Sequence, residues 1–145
     1  MQMMSQVDIG LSMASAPATA LRMKPMAMTL ADDQAIKVVV AYIAQMQAVS
    51  HEATVSGGNA EQGEALYALC ATCHGPDGKG IEAMNTPNLT LLQDWYLERQ
   101  LKNFKEGIRG NDPKDIYGQQ MKPMAMTLAD DQAIKDVIAY IMTLQ

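Results

Sequence analysis

Cys70-Ala71-Thr72-Cys73-His74 sets two thiols two residues apart, with an imidazole directly after the second. Thiols at that spacing can add to the two vinyl groups on one edge of a porphyrin, and the adjoining histidine is then held against the iron as its proximal ligand. Cys70 and Cys73 are the only cysteines in the chain, so both are used and none is left over. Three other chemistries compete for the same residues. A redox-active C-x-x-C pair wants a βαβ setting, and no alternating strand pattern surrounds this one. Zinc needs further Cys or His ligands at regular spacing, and the only other histidine is His51, in a polar stretch that reads as an exposed linker. A disulfide between the two cysteines gives His74 no role. The motif therefore points to one covalent haem c, with Cys70 and Cys73 as thioethers and His74 on the iron.

Helices must carry these groups. Asn59 can cap the first of them, with Gln62 as its capping-box partner, and Gly63, Leu66, Tyr67 and Cys70 then share one face, delivering the first thiol towards the core. From Gly75 to Leu92 the chain turns irregular, punctuated by Gly-Pro and Asp-Gly. The spacing of a phosphate-binding loop is absent there. A second helix is expected over Asp94–Glu106, stopped by Gly107, with Leu97, Leu101, Phe104 and Ile108 on its buried side. Its basic residues Arg99, Lys102, Lys105 and Arg109 read as a solvated face, the alternative being a docking patch for an acidic redox partner. Residues 110–120 read as a loop running into a methionine-rich turn, Met121-Lys122-Pro123-Met124-Ala125-Met126. The last helix begins near Asp130, capped by Thr127 or Asp130.

That turn and helix occur twice. Residues 23–43, MKPMAMTLADDQAIKVVVAYI, repeat as residues 121–141 with changes only at Val38 against Asp136 and Val40 against Ile138. Ile134, Val137, Ile138 and Ile141 form one helical stripe, matched by Ile36, Val39, Val40 and Ile43. No C-x-x-C-H precedes the first copy, so residues 1–45 read as the tail of a domain whose haem-binding front is missing, residues 46–58 as a linker, and residues 59–145 as a complete domain. The stranded stripe should be able to dock where its twin docks, within the chain or in a second molecule, and so offers a surface for self-association, with Met23 competing for iron.

At 145 residues the chain suits one domain with an extension, and its few aromatics (one Trp, one Phe, five Tyr) leave the core to be filled by other means, such as a buried porphyrin. A net charge of −5 argues against nucleic-acid binding. The longest apolar run, Val38 to Ala44, is far below the ~18 residues of a membrane span. No basic region opens a signal peptide, although haem attachment to C-x-x-C-H is expected outside the cytoplasm. The chain therefore reads as a fragment, or as one whose true start lies upstream.

With these parts in order, residues 59–145 resemble a class I cytochrome c domain, and the stretches DWYLERQLKNFKEGIRG and YGQQMKPMAMTLADDQAIKDVIAYI resemble the tandem di-haem, c4-like branch. The resemblance implies an all-α fold in which the first and last helices cross with Gly63 opposite Tyr140. It implies that Met121, seven residues before Leu128, is the second iron ligand, with Met124 and Met126 as alternates, and that the Pro87 carbonyl accepts a hydrogen bond from His74 Nδ1. It further implies an electron carrier of a bacterial respiratory chain, periplasmic, without catalytic residues and working with unidentified redox proteins. Other readings are a haem-bearing part of a larger oxidase or dehydrogenase complex, and a haem enzyme or gas sensor with a displaceable methionine.

Overall fold

The computed structural model of the chain describes residues 25–47, in one compact unit, and residues 52–145, in a second. His51 and Met23 lie outside the described residues.

In the first unit, α1 spans Asp33–Ala44. Asp32 caps it, accepting from Ala35 N–H at 2.8 Å, and Asp33 in the first turn suits the helix dipole. No residue of α1 is buried, and Ile36 and Ile43 are 44% and 57% exposed.

The second unit contains α2 (Ala60–His74), a 3₁₀ turn (Glu82–Met84), α3 (Asp94–Lys105), α4 (Ile116–Met126) and α5 (Asp131–Thr143). Among the described residues there is no strand, in agreement with the all-α reading. The organising contact is the crossing of α2 and α5. A Cβ at Gly63 would lie 1.9 Å from the Asp136 carbonyl oxygen and 2.9 Å from Tyr140 Cβ, so only glycine lets the two backbones approach this closely. Beside the crossing the rings of Tyr67 and Tyr140 meet at 5.2 Å. Tyr67, Leu97, Leu128, Ile134, Val137, Ile138 and Ile141 form the buried cluster. The stripe of α5 is thus 0–4% exposed, while its near-copy on α1 is open. The stripes match; what differs is the partner.

Two local expectations change, and one choice between two caps is resolved. The methionine segment is helix rather than turn: Asp115 caps α4, accepting from Gly118 N–H at 2.9 Å. Gln, Met, Lys and Ala are good helix formers, and together they carry the helix through Pro123, which removes one interior hydrogen bond. Thr127 closes α4, its hydroxyl donating to Met124 O, while Asp130 caps α5 by accepting from Ala133 N–H. Finally, the Asn59 side chain caps α2 as expected, but its N–H donates to Asp136 Oδ1 at 2.8 Å rather than to Gln62.

The second half of the stretch read as a linker is bound to this unit. Thr54 and Val55 donate backbone N–H groups to the buried Asp94 carboxylate, and the Thr54 hydroxyl does so at 2.9 Å. Gln132 Nε2 donates to Gly57 O at 2.7 Å.

Candidate functional site

The last turn of α2 presents the motif. The helix runs through His74 and is closed by Gly75, whose φ of 80° a side chain would strain. Tyr67, one face-repeat earlier, donates its hydroxyl to Gly75 O at 2.8 Å and so fixes the exit from the helix. Burial is the main reason its phenol is raised to about 12. Cys70 and Cys73 are free and half-buried. Burial, first, and the neighbouring Cys73 push the Cys70 thiol up.

The His74 ring is buried at 6% exposure, with Nδ1 3.1 Å from the Pro87 carbonyl oxygen. A carbonyl only accepts, so Nδ1 carries the proton and Nε2 the lone pair. Burial lowers the imidazole pKa, with the Pro87 bond pulling the other way; the neutral form is the one that ligates metal. Among the described residues the ring makes no other hydrogen bond, and no buried side-chain nitrogen or oxygen lacks a partner. Among the described residues Nε2 is therefore unpaired yet accessible. Two thiols and an accessible imidazole nitrogen at one helix end are the donor set that a covalently attached iron porphyrin requires. Among the described residues no three His, Cys, Asp or Glu side chains group as a metal cage.

The loop after the motif is fastened to it. Gly80 N–H donates to His74 O at 2.8 Å, and the Thr86 hydroxyl donates to Cys73 O at 2.6 Å. A Cβ at Gly80 would lie 2.4 Å from Thr86 O, so the loop also needs glycine where its two arms meet. Pro87 is held in place by these contacts, not by its own burial.

On α4, Met121 and Met124 are half-buried and Met126 is 55% exposed. Gly118 and Ala125 are the buried residues of this helix. Met121 lies three residues after one and four before the other, on the same face, while Met124 and Met126 stand about a quarter-turn or more off that face, on its two sides.

The basic residues of α3, and Arg109 just beyond it, are engaged within the unit. Lys102 pairs with Glu98 at 2.9 Å and Asp131 at 3.4 Å, and Lys105 donates to Leu128 O. Arg109 reaches Gln100 at 2.8 Å and stacks on Phe104, while Arg99 lies over Trp95. Nothing in this set is left as a uniform basic patch.

Sequence reasoning missed Asp94 and Asp136, buried carboxylates that hold residues 54–59. For Asp136 the signal was present: a charged residue stands at a helix position where the first copy has Val38.

A sequence profile of the family Cytochrome c matches residues 60–145. Cytochrome c-554(548) of Halomonas halodenitrificans is 39% identical over 83 residues, which cover 57% of this chain and 93% of that protein. Cytochrome c4 of Stutzerimonas stutzeri is 34% identical over 87 residues, 59% of this chain and 40% of that protein. The Cbb3-type cytochrome c oxidase subunit CcoP of Rubrivivax gelatinosus is 38% identical over 68 residues, 47% of this chain and 21% of the subunit. The chain thus spans nearly all of the first relative but under half of the other two.

Proposed function

The chain belongs to the cytochrome c family, in its class I, c4-like branch, and from that premise we propose that it carries single electrons through a covalent haem c whose iron is held by His74 and Met121. When bound, haem c supplies a one-electron ferric/ferrous couple. Cys70 and Cys73 would hold the porphyrin edge at the end of α2 through two thioethers, the S–H of each thiol being taken up by one vinyl double bond. His74 would hold the iron through Nε2, with the Pro87 carbonyl fixing the ring's tautomer and rotation through Nδ1. Met121 supplies the sixth ligand; its place beside Gly118 and Ala125 on the buried face of α4 favours it over Met124 and Met126. A thioether is a weak donor to ferric iron, so this pair raises the reduction potential. With His74 and Met121 both on the iron, no site would be left for substrate, and no residue is asked for acid, base or nucleophilic work.

The observation that carries this reading is the His74 ring, buried, fixed at Nδ1 by Pro87 and accessible at Nε2. The reading places the protein in the bacterial periplasm, within a respiratory chain; no helix among the described residues is long and apolar enough to cross a membrane. Intact mass of protein matured with a haem-attachment system tests it. The mass is expected to exceed the polypeptide by one haem, and a mass equal to the bare polypeptide overturns it. The similarity to an oxidase subunit favours a second reading, in which the same domain works as the haem-bearing part of a larger complex. Co-purification with an oxidase would separate the two.

A further inference from the structure

Both ends of the loop after the attachment motif are tied to α2, through Gly80 and His74 O at one end and through Thr86, Pro87 and the Cys73–His74 turn at the other. Between those ties Asn85 closes the 3₁₀ turn, its N–H donating to Glu82 O at 3.0 Å. Its φ of 53° makes it the one non-glycine residue in the left-handed region among those described, a conformation that asparagine tolerates better than most residues. From this position Asn85 Nδ2 donates to Tyr117 Oη at 2.9 Å. Among the described residues this is the only hydrogen bond that joins the loop of residues 75–92 to α4. Tyr117 precedes Met121 by four residues, one turn along the same face of α4, and Asn85 precedes Pro87 by two.

We propose that the Asn85–Tyr117 hydrogen bond is a positioning clamp, which ties the helix carrying Met121 to the loop that orients His74 and so sets how firmly the thioether holds the iron. The clamp rests on the reading of Met121 as a ligand. Both side chains are exposed, Tyr117 at 53%, so the bond adds little to global folding. Its leverage is local. A neutral thioether competes poorly with stronger donors for ferric iron, and it stays bound only while the protein keeps the sulfur in place.

The test titrates the ferric holoprotein with imidazole in wild type, Tyr117→Phe, Asn85→Gly and the double variant. Tyr117→Phe removes only the hydroxyl, and Asn85→Gly removes the amide while keeping a residue suited to positive φ. Each single variant is expected to bind imidazole about two- to tenfold more tightly, the range of one net hydrogen bond. The double variant should gain no more than either single one, because both remove the same bond. Melting temperatures should stay together, which a purely structural role would not give. Unchanged imidazole affinity in both single variants, or effects that add, overturns the clamp while the wild-type sulfur-to-iron absorption band remains. A wild type without that band overturns the ligand reading itself, and the clamp with it.

Discussion

Replacing Asp136 by valine gives the last helix the residue that its near-copy carries at Val38, and it tests whether the buried carboxylate is what fits α5 to this domain. Asp136 is 3% exposed, and its Oδ1 accepts from Asn59 N–H at 2.8 Å and from Gln132 Nε2 at 2.8 Å. Gln132 also holds Gly57 O, so the carboxylate anchors the approach to α2 through two routes. Valine leaves both donors without this acceptor, at about 1.5–3 kcal/mol for each hydrogen bond to a charged group. Burying valine returns about 1.5–2 kcal/mol. The net loss is about 1–4.5 kcal/mol, which for a domain of this size lowers the melting temperature by about 5 °C or more. Asp136→Asn keeps an acceptor oxygen and should lose about half as much. Val38→Asp, on an exposed position of α1, should stay within about 0.5 kcal/mol of wild type. Far-UV circular dichroism of the holoproteins measures all three. An Asp136→Val protein that melts within about 2 °C of wild type, or above it, refutes the reasoning.

Gly63→Ala should cost about 3 kcal/mol or more, since the new methyl must push apart two helix backbones; a denaturant midpoint equal to wild type would contradict the close crossing. Asp94 gives a pH dependence: burial alone would raise its pKa, but hydrogen bonds from Val55 N–H, the Thr54 side chain, Trp95 N–H and Thr54 N–H together hold the carboxyl below its ordinary value. A lowered folded-state pKa contributes stability in full above the unfolded value of about 4 and loses it as pH falls through the folded value. Urea midpoints between pH 5 and 2 should therefore fall more steeply in wild type than in Asp94→Asn, and equal slopes would refute the assignment. The exposed Ile36–Ile43 stripe is expected to make the full chain associate with rising concentration, and deleting residues 1–50 should abolish that association; a full chain that stays monomeric would remove the idea. Light scattering checks both points, and association that survives the deletion would remove α1 as its surface.

What was legible in the sequence is what is local. The attachment motif declares its chemistry because two thiols and an imidazole must be contiguous to meet one porphyrin edge and its iron. The α5 stripe shows because helical periodicity repeats every few residues. The methionine segment was misread because Pro123 and the run of turn residues before it argue for irregular chain, whereas the Asp115 cap and good helix formers on both sides of the proline outweigh its one lost bond. The long-range ties were out of reach for a different reason. Asp136 meets Asn59 across 77 residues and Asp94 meets Val55 across 39, and no local pattern encodes such pairings. Only the repeat, by setting Asp136 against Val38, marked one of them.

The central claim, an iron gripped by imidazole and thioether, is tested most directly by the ferric absorption spectrum of the holoprotein beside its Met121→Ala variant. The account predicts a weak sulfur-to-iron charge-transfer band at the red end in wild type that disappears in the variant, with the covalent porphyrin retained in both. A wild-type spectrum of a high-spin, five-coordinate iron, or a band that persists without Met121, would contradict it.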